Sequence, residues 1–161
     1  MFGVEFVLDG DVDFAQDGRS YHVLPGQVYL LRRDVAHVYR TGPSGRLHKY
    51  YIAIEGPLLE PLLLATGLDT CDHVVPESRA TIEELFARIR DLMQHKPAGF
   101  TLELSTCAYQ LLVELSRSIS RRYPEPIRAA VEFIDRNLTR TLMTEDICAV
   151  AGLSQTHFNR L

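Results

Sequence analysis

Residues 21–40 read YHVLPGQVYLLRRDVAHVYR, and the rhythm of this stretch decides the fold class. Tyr21 and Val23, then Val28 and Leu30, recur at period two on either side of Pro25-Gly26, as strands do when they meet at a tight turn. The same reading extends outward. VEFVLDGDVDF, residues 4–14, alternates in the same way, and Asp9-Gly10 and Asp17-Gly18 punctuate it as turn dipeptides. HVYRT (37–41) and HKYYIAI (48–54) continue the pattern beyond the turn-rich GPSGR (42–46). Short strands at this spacing, rich in Val, Tyr and Phe, predict a β-sandwich or barrel.

The period then changes. GPLLEPLLLATGL, residues 56–68, suits a short helix stopped by Gly67, and HVVPE (73–77) suits a returning strand. Thr81 and Glu84 form a T-x-x-E capping box. Behind it Ile82, Leu85, Phe86, Ile89, Leu92 and Met93 fall on one helical face. A second amphipathic helix, over about residues 101–122, carries Leu104, Ala108, Leu111, Leu115 and Ile119. Two such helices joined by a short loop predict an antiparallel hairpin, whose faces are free to pack on the sheet or on a second copy. RRYPEP (121–126) breaks any continuous helix and marks a boundary.

Bulk properties bound the class. The chain has 161 residues, 46% of them hydrophobic and 24% charged, with a net charge of −4. No apolar run approaches the ~20 residues of a membrane-spanning helix. The N-terminus shows no signal-peptide pattern. Cys71, Cys107 and Cys148 form no CxxC, which predicts reduced thiols and a cytoplasmic setting. Residues 1–116 carry a balance of −6 and residues 117–161 a balance of +2. A mildly basic tail suits contact with nucleic acid or a solvated helical face.

The tail has a definite layout. Ile127, Val131, Ile134 and Leu138 mark one helix, and Thr144 is placed to cap a second that Gly152 ends. Ser154 is placed to cap a third. A short helix, a glycine turn and a capped helix predict a helix-turn-helix. Phe158 and Leu161 would face inward; Gln155, Thr156, Asn159 and Arg160 would face out. Amide, hydroxyl and guanidinium groups are the side chains that read base edges and phosphates.

DICAVAGLSQTHFNRL, residues 146–161, resembles the first helix-turn-helix of the AraC/XylS family of bacterial transcription regulators, with Gly152-Leu153-Ser154 and Phe158-Asn159-Arg160 in the family's slots. Cys148 stands where alanine is usual. YHVLPGQVYLLRRDVAHVY and YYIAIEGPLL resemble the family's cupin-type sensor. The resemblance implies an α+β chain: a cupin-like antiparallel β-barrel over 1–76, a dimerising helical hairpin over 77–123, and a truncated helix-turn-helix domain over 124–161. It implies a ligand-responsive, homodimeric regulator whose parent binds DNA through two such motifs. By the same analogy the chain is expected to be a piece of a longer protein.

Cupins divide into metalloenzymes and sensors. The pattern G-x5-P-x-G-x2-H runs from Gly26 to His37, with Arg32-Arg33-Asp34 in place of Pro-x-Gly. Arg19 falls where the carboxylate ligand belongs, and Asp13 and Ala15 fall where paired histidines belong. One imidazole does not hold a transition metal. We therefore expect no metal, no cofactor and no enzyme activity. The expected function is effector sensing, with His22, His37, Tyr39, His48 and Tyr50 as candidate lining residues. A sugar is compatible with that lining, since aromatic faces stack on C–H groups and imidazoles bind hydroxyls. The competing readings are a cupin isomerase or dioxygenase, decided by metal analysis, and a ligand-free dimerisation module, decided by a ligand screen.

Overall fold

The computed structural model describes residues 1–120, 125–138, 140–158 and 160. They form two compact units, Met1–Ser118 and Ile119–Leu161.

The first unit begins with six strands: β1 (Phe2–Gly10), β2 (Val12–Gln16), β3 (Arg19–Val23), β4 (Val28–Leu31), β5 (His37–Thr41) and β6 (Leu47–Ile54). Then come α1 (Leu59–Thr66), β7 (His73–Val74), α2 (Arg79–His95) and α3 (Phe100–Ser120). The strands form two open antiparallel sheets, ordered β6-β1-β4-β7 and β3-β2-β5. This corrects the expected closed barrel. Alternation within a strand identifies its two faces, but closure depends on whether edges pair, and here the edges of one sheet do not bond to those of the other.

The chain changes sheet at a corner between β1 and β2. Gly10 takes φ 77°, and a Cβ there would lie 2.0 Å from the Arg46 carbonyl oxygen, so only glycine fits. The next residue, Asp11, donates its N–H to that carbonyl at 3.1 Å. Its buried carboxylate accepts from the Ser44 N–H at 3.0 Å and from the Ser44 hydroxyl. The corner is thereby tied to the β5–β6 turn.

Between the sheets lies a core of Val7, Val12, Phe14, Val23 and Tyr29. The opposite face of the larger sheet is covered by helices. Phe6 and Tyr50 both stack on Phe86 of α2 at 5.8 Å, and Ile52 packs on a cluster of Ile89, Leu92 and Cys107 that joins α2 to α3. The start of α2 differs from the T-x-x-E expectation. Ser78 is the cap and accepts the Thr81 N–H at 3.2 Å, so Thr81 lies inside the first turn.

A second polar knot holds the two sheets together. Asp72, just before β7, has a fully buried side chain. It accepts from Gln16 Nε2 at 2.6 Å, Arg32 Nε at 2.8 Å and the Tyr21 hydroxyl at 3.1 Å. Gln16 and Tyr21 belong to one sheet, while Arg32 directly follows β4 of the other.

The second unit contains α4 (Glu125–Arg136), α5 (Thr144–Ala151) and α6 (Gln155–Phe158). Thr144 opens α5 as its first residue, and the cap position is Met143, which makes no side-chain cap bond. Gly152 ends α5 at φ 64°. Ser154 accepts the His157 N–H at 3.3 Å at the head of α6. Ala130, Cys148 and Ala151 are its buried residues among those described.

Candidate functional site

β6 and β5 are edge strands of the two sheets, and we take the space between them as the candidate mouth, because a polar cluster, its floor, joins the sheets there. Register fixes which residues face it. Glu5 pairs with Tyr51, and Val7 with Lys49, so all four share the inner face of the larger sheet. Across the gap Tyr39 pairs with Phe14 and His37 with Gln16, on the inner face of the smaller sheet.

Lys49 is the centre of this floor. Its Nζ lies 2.5 Å from Glu5 Oε2 and donates to the Tyr29 hydroxyl at 2.8 Å. The same ammonium sits 4.2 Å from the centroid of Tyr39, a cation–π contact that bridges to the other sheet. Tyr29 in turn donates to Glu5 at 3.4 Å and packs on Tyr39 at 5.7 Å. Glu5 is 5% exposed and Tyr29 fully buried, while Tyr39 and Tyr51 are 43% and 68% exposed. The site therefore has a closed ionic floor and an aromatic rim.

The electrostatics follow from this arrangement. Burial pushes the Tyr29 phenol up to about 12, and the negative charge of Glu5 adds to the rise. Burial opposes the charge on Lys49, yet hydrogen bonds to Glu5 and Tyr29 outweigh it, and its pKa rises. Lys49 is thus a fixed cation and Tyr29 a fixed neutral donor. The pair Glu5–Lys49 brings no net charge to the floor.

The five residues expected from sequence do not all gather here. Tyr39 and His37 lie on the inner face, and the His37 ring Nδ1 is 3.1 Å from the Val35 carbonyl. Tyr50 lies on the opposite face of β6. It stacks on Phe86, and Arg90 donates to its hydroxyl at 2.9 Å. His48 is exposed and meets Tyr50 edge-on at 6.3 Å. His22 pairs with Asp13 on the outer face of the smaller sheet. Its ring nitrogens lie 2.9 Å from Asp13 and 3.2 Å from Asp11, and hydrogen bonding to His22 holds the Asp13 carboxyl below its usual range.

Sequence reasoning missed Glu5, Tyr29 and Lys49. A signal was present in GVEFV, where one carboxylate interrupts an apolar strand. In the second unit Gln155, Thr156 and Arg160 are exposed. Asn159 lies outside the described residues, as does most of RRYPEP. Among the described residues no group of three or more His, Cys, Asp or Glu side chains is arranged to hold a metal ion. None of the described helices is long and apolar enough to cross a membrane.

Comparison with known proteins adds family context. Residues 2–112 match the AraC-like ligand binding domain. The chain is similar to the lactose operon transcription activator of Staphylococcus xylosus, at 20% identity over 98% of this chain and 60% of that protein. It is also similar to a solved structure, the AraC-like transcriptional activator CuxR, with 15% identity and a TM-score of 0.46, over 96% of this chain and 58% of that one. The chain thus spans about three fifths of the length of these relatives.

Proposed function

We propose that this chain, which belongs to the AraC-like ligand-binding domain family, is the sensing part of a DNA-binding transcription regulator. Its effector is a small neutral polyhydroxyl compound, of the sugar class, held in the mouth between the two sheets. The observation that carries this reading is the buried Glu5–Lys49–Tyr29 floor facing Tyr39.

Charge balance selects the effector class. Lys49 is already neutralised by Glu5, so an anionic ligand must break a buried ion pair to reach it. A cationic ligand meets the Lys49 ammonium. A neutral molecule with hydroxyl groups leaves the pair intact and bonds at its margins, while the largely exposed Tyr51 and the part-exposed edge of Tyr39 offer aromatic surface for contact. The relative from Staphylococcus xylosus, by name an activator of a lactose operon, is in keeping with a sugar-linked signal.

The remaining elements fit the same regulator. α2 and α3 form the pairing element of a homodimer, with Leu102 and Tyr109 exposed on α3 as the face available to a second copy. In the second unit, α5 and α6 serve as part of a helix-turn-helix, with Gln155, Thr156, Asn159 and Arg160 toward DNA. The effector acts by shifting a dimer equilibrium that sets the spacing of two DNA-binding units.

A thermal-shift screen followed by calorimetry tests the sensor. Neutral mono- and disaccharides should include a stabilising ligand, and Tyr39→Ala should weaken it. Stabilisation by aromatic acids alone would refute the assignment. In the complete regulator, Arg160→Ala should cost about 1–3 kcal/mol of operator binding and relax preference at one base pair. Full affinity with full preference in that variant would remove the recognition-helix role.

A further inference from the structure

The Arg32-Arg33-Asp34 turn has no part in the effector site, yet it walls a cavity of about 300 Å³ against α1. The floor of that cavity is apolar, formed by Phe2 and Leu63, both buried. Its two walls carry opposite charge.

On the turn side, Arg32 is already committed, with Nε 2.8 Å from Asp72 and Nη2 3.2 Å from Asp17. Neither acid lines the cavity. Arg33 is different. Its ion-pair partner among the described residues is Asp34, the next residue, at 3.2 Å, with both side chains more than half exposed. Such a pair contributes little and exchanges readily for a better anion. On the other side stand Glu60, in the first turn of α1, and Asp69, just beyond its end. Neither has a hydrogen-bond or ion-pair partner among the described residues.

We propose that this cavity binds a free α-amino acid with an apolar side chain. The carboxylate takes the Arg33 guanidinium in place of Asp34, as a two-pronged pair. The ammonium lies between Glu60 and Asp69. The side chain rests on Phe2, Leu63 and Val35. The volume stands at the small end of ligand sites, with room for one amino acid. The charges also discriminate. A plain carboxylate meets two unpaired anions beside Arg33, and a plain amine leaves the guanidinium unused. The zwitterion satisfies both walls, and the regulator gains a second input, separate from the mouth between the sheets.

The test uses the full chain. A thermal-shift screen of the twenty standard L-amino acids is followed by calorimetry with L-leucine, isopentylamine and 4-methylpentanoate, which carry both charged groups, only the amine and only the acid. Leucine or another apolar amino acid should bind, and the two single-charge compounds should bind at least ~10-fold more weakly. Arg33→Gln and the double variant Glu60→Gln/Asp69→Asn should each weaken leucine binding by ~10-fold or more. The proposal is overturned if no amino acid binds, if the single-charge compounds bind as well, or if the double variant keeps full affinity. Circular dichroism of each variant checks folding, and where a variant fails to fold, the three-compound comparison on the unmodified chain decides alone.

Discussion

Replacing Asp72 by alanine should be among the most damaging single changes in the first unit, and its cost can be worked out donor by donor. Tyr21 is half-buried and Arg19, whose guanidinium lies 3.6 Å from the carboxylate, is largely exposed, so both turn to water at little cost. Gln16 is 1% exposed and keeps its 3.0 Å bond to the Leu30 carbonyl, so one amide hydrogen is orphaned, at about 1 kcal/mol. Arg32 loses its buried partner and keeps only Asp17 on the solvent side. Orphaning a buried charge costs ~3–5 kcal/mol, and the surviving Asp17 pair places this case at or below the lower end. The total is about 3–4 kcal/mol. At roughly 4 °C per kcal/mol for a unit of this size, Tm falls by about 12–16 °C. Asp72→Asn keeps an acceptor for Gln16 but not the charge, and should fall between. Urea unfolding followed by tyrosine fluorescence suits the measurement, because the chain has no Trp and six of its seven Tyr residues lie within Met1–Ser118. A loss below about 1 kcal/mol for Asp72→Ala would show that the knot is not what joins the sheets.

Three further outcomes are expected. Lys49→Met should cost ~3–5 kcal/mol by stranding Glu5, whereas the double variant Glu5→Gln/Lys49→Met should recover much of that loss; equal losses in chemical denaturation would mean the pair is not coupled. Tyr29 is raised from 10.0 to about 12 in the folded state, so the unfolded chain releases its proton first and stability falls as pH rises between those values. Absorbance titration should show a late-ionising phenol that Tyr29→Phe removes, and its persistence in that variant would reassign it. Gly10→Ala forces a Cβ to within 2.0 Å of a backbone oxygen at positive φ, and should cost at least ~3 kcal/mol or prevent folding; a Tm within a few degrees of the parent would contradict the corner geometry.

The strands were legible because one buried face imposes period two, and the helix ends at Gly67 and Gly152 because a left-handed cap selects glycine. Cap residues were less legible. Ser78 and Thr81 both bear hydroxyls three residues apart, and only the backbone decides which one stands outside the helix. Sheet closure was not legible, since it depends on contacts between edges distant in sequence. The site was half legible for a related reason. HKYYIAI places ring-bearing or apolar residues on both faces of β6, so alternation alone could not tell which face met helices and which met the mouth. Glu5 and Lys49 resolve it. Charges this buried must find each other, and they can do so only on the face that leaves both on one side of the sheet.

That two-faced strand gives the proposed sensor a physical route to its helices. Lys49 reaches Glu5, Tyr29 and Tyr39 on one side of β6. The next residue, Tyr50, bonds to Arg90 and stacks on Phe86 of α2 on the other, and Ile52 packs on the cluster shared by α2 and α3. The register of β1 on β6 shifts between Val7 and Asp9, beside Lys49, so the pairing there is already irregular and one residue is left out of the ladder. Packed cores resist small displacements and respond in discrete rearrangements. A ligand that bonds at the margin of the Glu5–Lys49 pair therefore bears on Tyr50 and Ile52 through one peptide backbone, with no longer relay required. Effector binding should then alter hydrogen exchange in β6 and α2 together, whereas protection confined to the inner strands would leave the helices outside the response.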